Sequence, residues 1–155
     1  MKNLHRNQWI AIFASLAFLG YILFAGPLMN LFKPQTNSMN QIPQTGFTSE
    51  DLQVGEGLEV ERGDNITVDY VGTFQDGRVF DSSLDRGVPF SFTLGVGGVI
   101  RGWDEGLLGM KVGGKRILVI APDYGYGPQG YGTIPGNSTL IFEVELLDVK
   151  KPLGQ

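Results

Sequence analysis

The 155-residue sequence has no cysteine, and its single histidine is His5, among the first residues. The missing thiols exclude disulfides, thiolate metal sites, iron–sulfur clusters and cysteine nucleophiles. With no histidine in the body of the chain, neither a Ser-His pair nor a His-ligated metal can be assembled there. Charge is also scarce, at 18% of residues. All 16 acidic residues lie from Glu50 to Asp148, while only 8 of the 12 basic ones fall between Glu50 and Lys150, so the stretch 50–150 carries a formal net charge of −8. Such a surface repels a phosphate backbone, and no nucleic-acid partner is expected. Hydrophobic residues, at 42%, suffice for a core and exclude a disordered chain, and the length admits one compact domain with some extra sequence.

Glycine, by contrast, is abundant. The 23 glycines amount to about 15% of the chain against a typical 7% or so, without a collagen period or a repeat. Tight turns between short strands account for them.

Residues 9–32, WIAIFASLAFLGYILFAGPLMNLF, form an uncharged run interrupted only by Ser15, Gly20, Gly26-Pro27 and Asn30. As a helix, its first 18 residues would extend about 27 Å, close to the roughly 30 Å of a bilayer's hydrocarbon core. A cleavable signal peptide is the other reading, since Lys2 and Arg6 form a basic start. Signal h-regions, however, run about 7 to 15 residues and end in small residues, whereas Leu23 and Phe24 put bulk at the candidate sites. A retained transmembrane anchor is the expectation. Lys2 and Arg6 before the run, against Lys33 just after it, direct the N-terminus to the cytoplasm and the rest of the chain outside. The expected organisation is a basic segment at 1–8, the anchor at 9–32, a Pro- and amide-rich flexible linker at 33–47, a folded domain at 48–150 and a tail at 151–155.

The folded part reads as antiparallel strands around one helix. Ile66, Val68, Tyr70, Gly72 and Phe74 alternate along one face, and Asp76-Gly77 supplies a turn into Val79-Phe80-Asp81-Ser82. Residues 115–121 are a β-branched run closed by Pro122, and residues 139–149 alternate. Ile100, Trp103, Leu107 and Met110 recur at helical spacing. With no strand–helix–strand alternation, the class is α+β with an antiparallel sheet.

Gly125-Tyr126-Gly127-Pro128-Gln129-Gly130 matches a dinucleotide-binding fingerprint, but the Gly- and Pro-rich residues after it cannot open the required helix. More informative is the number of aromatics near turns, among them Tyr70, Phe80, Phe90, Trp103, Tyr126, Tyr131 and Phe142. Taken singly, each reads as core filling. Asp81, Arg86 and Asp123 beside them point to a cleft, because charges rarely border a core unless paired.

The strings DG-x-x-FDSS, VI-x-GW-x-EG and P-x-x-YGYG occur in this order, followed by TLIFEVELLDV. In them the chain, from Thr48 to Lys150, resembles the FKBP-type peptidyl-prolyl isomerase family. The resemblance implies a five- to six-stranded antiparallel half-barrel wrapped on a short helix, with the active site between sheet and helix. It implies Trp103 as the floor of a prolyl pocket, Tyr70, Phe90, Val99, Ile100 and Phe142 as walls, and Phe80 at the rim. Tyr126 and the Ile100 backbone N–H would bind substrate carbonyls, and Asp81 would sit near the rotating amide, held by Tyr70 and Arg86. Where the family commonly has a longer loop with a histidine and two isoleucines, this chain is one residue shorter, with Tyr131 at the histidine position and Ile134 at the second isoleucine. The implied activity is cis–trans isomerisation of X-Pro bonds, with no cofactor and no metal. Proline-containing client polypeptides and macrolides such as rapamycin are the implied ligands. The alternative is a membrane-tethered binding module or chaperone with weak isomerase activity. With the expected anchor, the domain would face the bacterial periplasm or, failing that, a thylakoid or endoplasmic reticulum lumen.

Overall fold

The computed structural model describes residues 42–152. The expected anchor and most of the linker lie outside the described residues, among which no helix is long and apolar enough to cross a membrane.

Six strands make one antiparallel sheet: β1 (Phe47–Gln53), β2 (Asn65–Phe74), β3 (Val79–Ser82), β4 (Phe90–Thr93), β5 (Lys115–Ile120) and β6 (Leu140–Lys150). The order is β1-β5-β6-β2, and the far edge of β2 is shared, with β3 along its C-terminal half and β4 along its N-terminal half. On β2 the expected alternation holds, with Ile66, Val68 and Tyr70 buried. On β6 it holds from Leu140 to Leu146 and then changes phase. Thr67 pairs with Asp148 while Val68 pairs with Leu146, so Leu147 is an extra, bulged residue and Val149 turns back into the core.

Two strands lack a legible pattern. β1 is exposed along nearly its whole length and is held by backbone pairing to β5, and β4 is only four residues long. The single expected helix is α2 (Arg101–Gly106), while α1 (Ser83–Arg86) is an additional turn between β3 and β4. Ser82 Oγ starts α1 by accepting from Asp85 N at 3.2 Å, and Gly87 ends it in the left-handed region.

Glycine spacing explains how α2 sits. A Cβ on Gly102 would lie 2.6 Å from Ile120 Cδ1, and one on Gly106 would lie 2.9 Å from Leu118 Cδ2. These two bare positions, one turn apart, let the helix backbone lie directly on β5. Trp103 and Leu107 are thereby pressed into the core with Leu118, Ile120 and Phe142, each buried side chain of this size contributing roughly 1.5–3 kcal/mol. After β5, Pro122–Tyr124 form a 3-10 turn, and irregular turns lead to β6 with no helix after Gly130, so the fingerprint match has no phosphate-binding element.

The C-terminal end is fastened beyond β6. Lys151, assigned above to the tail, donates from Nζ to Asp64 Oδ2 at 2.8 Å, Glu61 Oε2 at 2.9 Å and the Glu59 carbonyl at 3.1 Å. Asp64 is only 1% exposed. Burial pushes its carboxyl up, but the hydrogen bonds from Lys151 and the Glu61 amide prevail and hold it below the ordinary carboxylate value.

Candidate functional site

Between α2 and the inner face of the sheet opens a cleft of about 540 Å³, within the size range of small-ligand sites. Its floor is Trp103, carried into place by the first turn of α2 and only 4% exposed. The rings of Tyr70 and Phe142 meet the indole edge-on, each with centroids 5.1 Å away. Both come from the inward faces of β2 and β6, and Phe90 closes the same side from β4 at 6.1 Å.

Phe80 reaches the cleft by an irregularity. Gly72 pairs with Asp81 and Thr73 with Val79, which leaves Phe80 bulged out of the β2–β3 ladder. Bulges re-aim side chains, and here the ring packs edge-on against Phe142 at 5.5 Å. The space it occupies exists because residue 72 has no side chain: a Cβ there would be 2.7 Å from Phe80 Cζ and 2.9 Å from Phe142 Cε1.

One charged group lines the cleft. Asp81 Oδ2 accepts from Tyr70 Oη at 2.5 Å, and Oδ1 accepts from the Ser82 amide at 2.9 Å and from the Arg86 guanidinium. Arg86 also donates from Nη2 to Tyr70 Oη at 2.9 Å, closing a three-residue ring. Burial pushes the Asp81 carboxyl up, yet the hydrogen bonds from Tyr70 and Arg86 outweigh it and hold the group below its ordinary value. Burial, and then the hydrogen bond to Asp81, raise the Tyr70 phenol, so it remains a proton donor near neutrality.

The far wall is the loop from Tyr126 to Ile134. Tyr131 N donates to the Ile134 carbonyl at 3.0 Å and Ile134 N to the Tyr131 carbonyl at 2.8 Å, a tight turn over Gly132-Thr133. It lays the Tyr131 ring, 70% exposed, flat on Tyr126 with centroids 5.3 Å apart. Burial, with Tyr131 and Asp81 nearby, raises the Tyr126 phenol. This loop thus delivers Tyr131 and Ile134 to the cleft. Val99 and Ile100 complete it from the turn before α2, and among the described residues the Ile100 N–H has no protein acceptor.

Of the residues singled out in the sequence, Tyr70, Phe80, Asp81, Phe90, Val99, Ile100, Trp103, Tyr126, Tyr131, Ile134 and Phe142 all line this cleft. Arg86 does not; it braces Asp81 and Tyr70 from outside the lining. Asp123 is elsewhere, accepting from the Gly46 amide at 3.0 Å and tying down the segment before β1. Gly98, Gly132 and Thr133 also line the cleft, without a side-chain pattern that would have announced them.

The family model for the FKBP-type peptidyl-prolyl cis-trans isomerase matches residues 57–147. The chain belongs to this family. It is 58% identical over 105 residues to an FK506-binding protein of Neisseria meningitidis serogroup B, covering 67% of this chain and 96% of that protein. It is 53% identical over 106 residues to a peptidyl-prolyl cis-trans isomerase of Schizosaccharomyces pombe, covering 67% of this chain and 95% of that one. The crystal structure of AtFKBP13 superposes with a TM-score of 0.63 at 39% identity, over 68% of this chain and 96% of that one. As an FKBP-type domain, the protein is a peptidyl-prolyl cis-trans isomerase.

Proposed function

We propose that this isomerase seats the ring of an X-Pro segment on the Trp103 indole and accelerates rotation by desolvation and twisted-amide stabilisation, acting on unfolded or partly folded chains. The carrying observation is the make-up of the cleft: aromatic floor and walls, and one carboxylate whose two oxygens are already engaged. Rotation about the X-Pro bond must break amide resonance against a barrier of roughly 18–20 kcal/mol, and no covalent bond changes. In the twisted state the carbonyl loses amide character and becomes ketone-like. A dry apolar cleft therefore disfavours the planar, polar ground state relative to the twisted one. Ile100 N–H and Tyr126 O–H receive substrate carbonyls and hold the peptide in a turn, so binding energy becomes geometry. Asp81, fixed by Tyr70 and Arg86, supplies a stationary local field beside the rotating amide.

The names of the Neisseria relatives support extending ligand binding to macrolides. A prolyl-peptide assay on the full chain, titrated with rapamycin, tests both points. Catalysis that rapamycin abolishes at one equivalent is expected. Tight binding without turnover would favour the binding-module reading.

The proposal also covers location. The uncharged run at 9–32, with Lys2 and Arg6 before it, supports a retained anchor and an extracytoplasmic catalytic domain. The protein should stay with membranes through an alkaline carbonate wash. Recovery of a soluble form beginning after residue 25 would contradict the anchor.

A further inference from the structure

We propose that Asp104, the position left open in GW-x-EG, is a positioning residue for the reaction: it fixes the glycine loop that presents Val99 and the Ile100 N–H to the substrate. The inference rests on the reading that Ile100 N–H receives a substrate carbonyl. Asp104 is buried, yet among the described residues it pairs with no cation. Its Oδ1 accepts from Gly95 N at 2.8 Å and its Oδ2 from Gly97 N at 2.7 Å.

Both glycines are left-handed, at φ 81° and 79°. Left-handed residues turn successive amides inward into an anion-binding nest, and here the anion is the protein's own side chain. The loop is gripped from its other side by Arg62, whose Nη1 donates to the Gly95 carbonyl at 2.5 Å. Leu94, just before it, exchanges backbone hydrogen bonds with Gly63 and Asp64 at 2.8 and 2.9 Å. At its other end are Gly98, Val99 and Ile100, all lining the cleft.

Asp104 directly follows the floor tryptophan, and its own N–H, like that of Trp103, donates to the Ile100 carbonyl, at 3.2 and 2.9 Å respectively. One helical turn therefore carries the floor, the carbonyl-binding N–H and the carboxylate that holds their loop. Two oxygens are required for two donors. Asparagine, of nearly the same shape, would turn its NH2 toward one glycine N–H and lose that bond.

The test uses the full-length protein, a Leu-Pro peptide and a temperature of about 10 °C, where the uncatalysed reaction takes minutes. Asp104→Asn is expected to keep a native near-UV spectrum, to speed amide exchange at Gly95 and Gly97, and to lose about tenfold in kcat/KM. The loss should fall on KM, because the carbonyl contact is made in both ground and transition states. Asp104→Glu, with both oxygens kept, should recover most of it. Gly97→Ala is the companion variant should Asp104→Asn not fold. Its Cβ would meet nothing within 4 Å, so only the left-handed conformation is strained, and the same rise in KM is expected. Wild-type KM in folded Asp104→Asn or in Gly97→Ala would overturn the proposal, as would a loss that merely tracks the unfolded fraction. Absence of activity in the wild type would instead overturn the reading of the cleft.

Discussion

Replacing Trp103 with leucine separates a binding floor from a plug in the core. The indole makes two edge-on ring contacts at 5.1 Å, with Tyr70 and Phe142, each contributing about 0.5–1.5 kcal/mol beyond buried area. Complete truncation of a buried Trp costs about 3–5 kcal/mol, and leucine retains part of that volume. Among the described residues the buried indole N–H has no acceptor, and removing such a donor returns part of about 1–3 kcal/mol. The net loss is roughly 1–3 kcal/mol, below the 5–15 kcal/mol of a typical domain. Trp103→Leu should therefore stay folded, with its midpoint lowered by roughly 5–20 °C on the scale of 4–8 °C per kcal/mol. Losing the flat face under the prolyl ring should meanwhile weaken rapamycin about ten- to a hundredfold, the equivalent of about 1.4–2.8 kcal/mol. Calorimetric titration at 25 °C, well below the lowered midpoint, reads this directly. Wild-type affinity in the folded variant would refute the floor, and outright unfolding would show that the indole is core only.

Gly72→Ala should force Phe80 and Phe142 apart, since its Cβ would fall 2.7 and 2.9 Å from their rings. A loss of about 1–3 kcal/mol by denaturant titration is expected, together with a raised KM for Leu-Pro peptides. Lys151→Met would leave the buried Asp64 carboxylate with only the Glu61 amide. Its depressed folded pKa now contributes stability that is present above the unfolded value near 3.9 and lost as pH falls through the folded value. In the variant only the Glu61 amide still opposes burial, so that contribution shrinks, the acid-unfolding midpoint should move to higher pH and stability at pH 7 should fall. An unchanged acid limb would mean that the contact with Lys151 contributes nothing.

The hairpin, β6 and the face of α2 were legible because each buries one side at a regular period, and β5 because a β-branched run ends at Pro122. The strand β1 was not, since its residues are exposed on both faces and its stability comes from backbone pairing with β5. The phase change at Leu147 escaped because a bulge depends on the partner strand. Aromatic floor and walls followed from the family resemblance, whereas periodicity alone shows only that such residues are buried somewhere. Asp104 and Lys151 were missed for a common reason. Their partners are backbone amides or distant carboxylates, 87 residues away for Lys151 and Asp64, and a lone charge in a sequence does not announce them. Arg86 holds Asp81 and Tyr70 as the resemblance implied, from outside the cleft lining.

The most direct test of proton-free catalysis is the pH dependence of kcat/KM toward a Leu-Pro peptide, repeated in heavy water. Proton transfer bends a rate where its acid or base titrates. Among the described residues the cleft has no histidine. Tyr70 and Tyr126 titrate above their ordinary values, and the Asp81 carboxyl, lowered by Tyr70 and Arg86 against the opposing effect of burial, is already ionised well below neutrality. Desolvation and fixed geometry therefore predict a flat profile from pH 6 to 8, a solvent isotope effect near one, and only a partial loss on Asp81→Asn through weaker positioning. A bell-shaped profile, an isotope effect above about two, or complete loss in a folded Asp81→Asn variant would contradict the account and require general acid–base catalysis in its place.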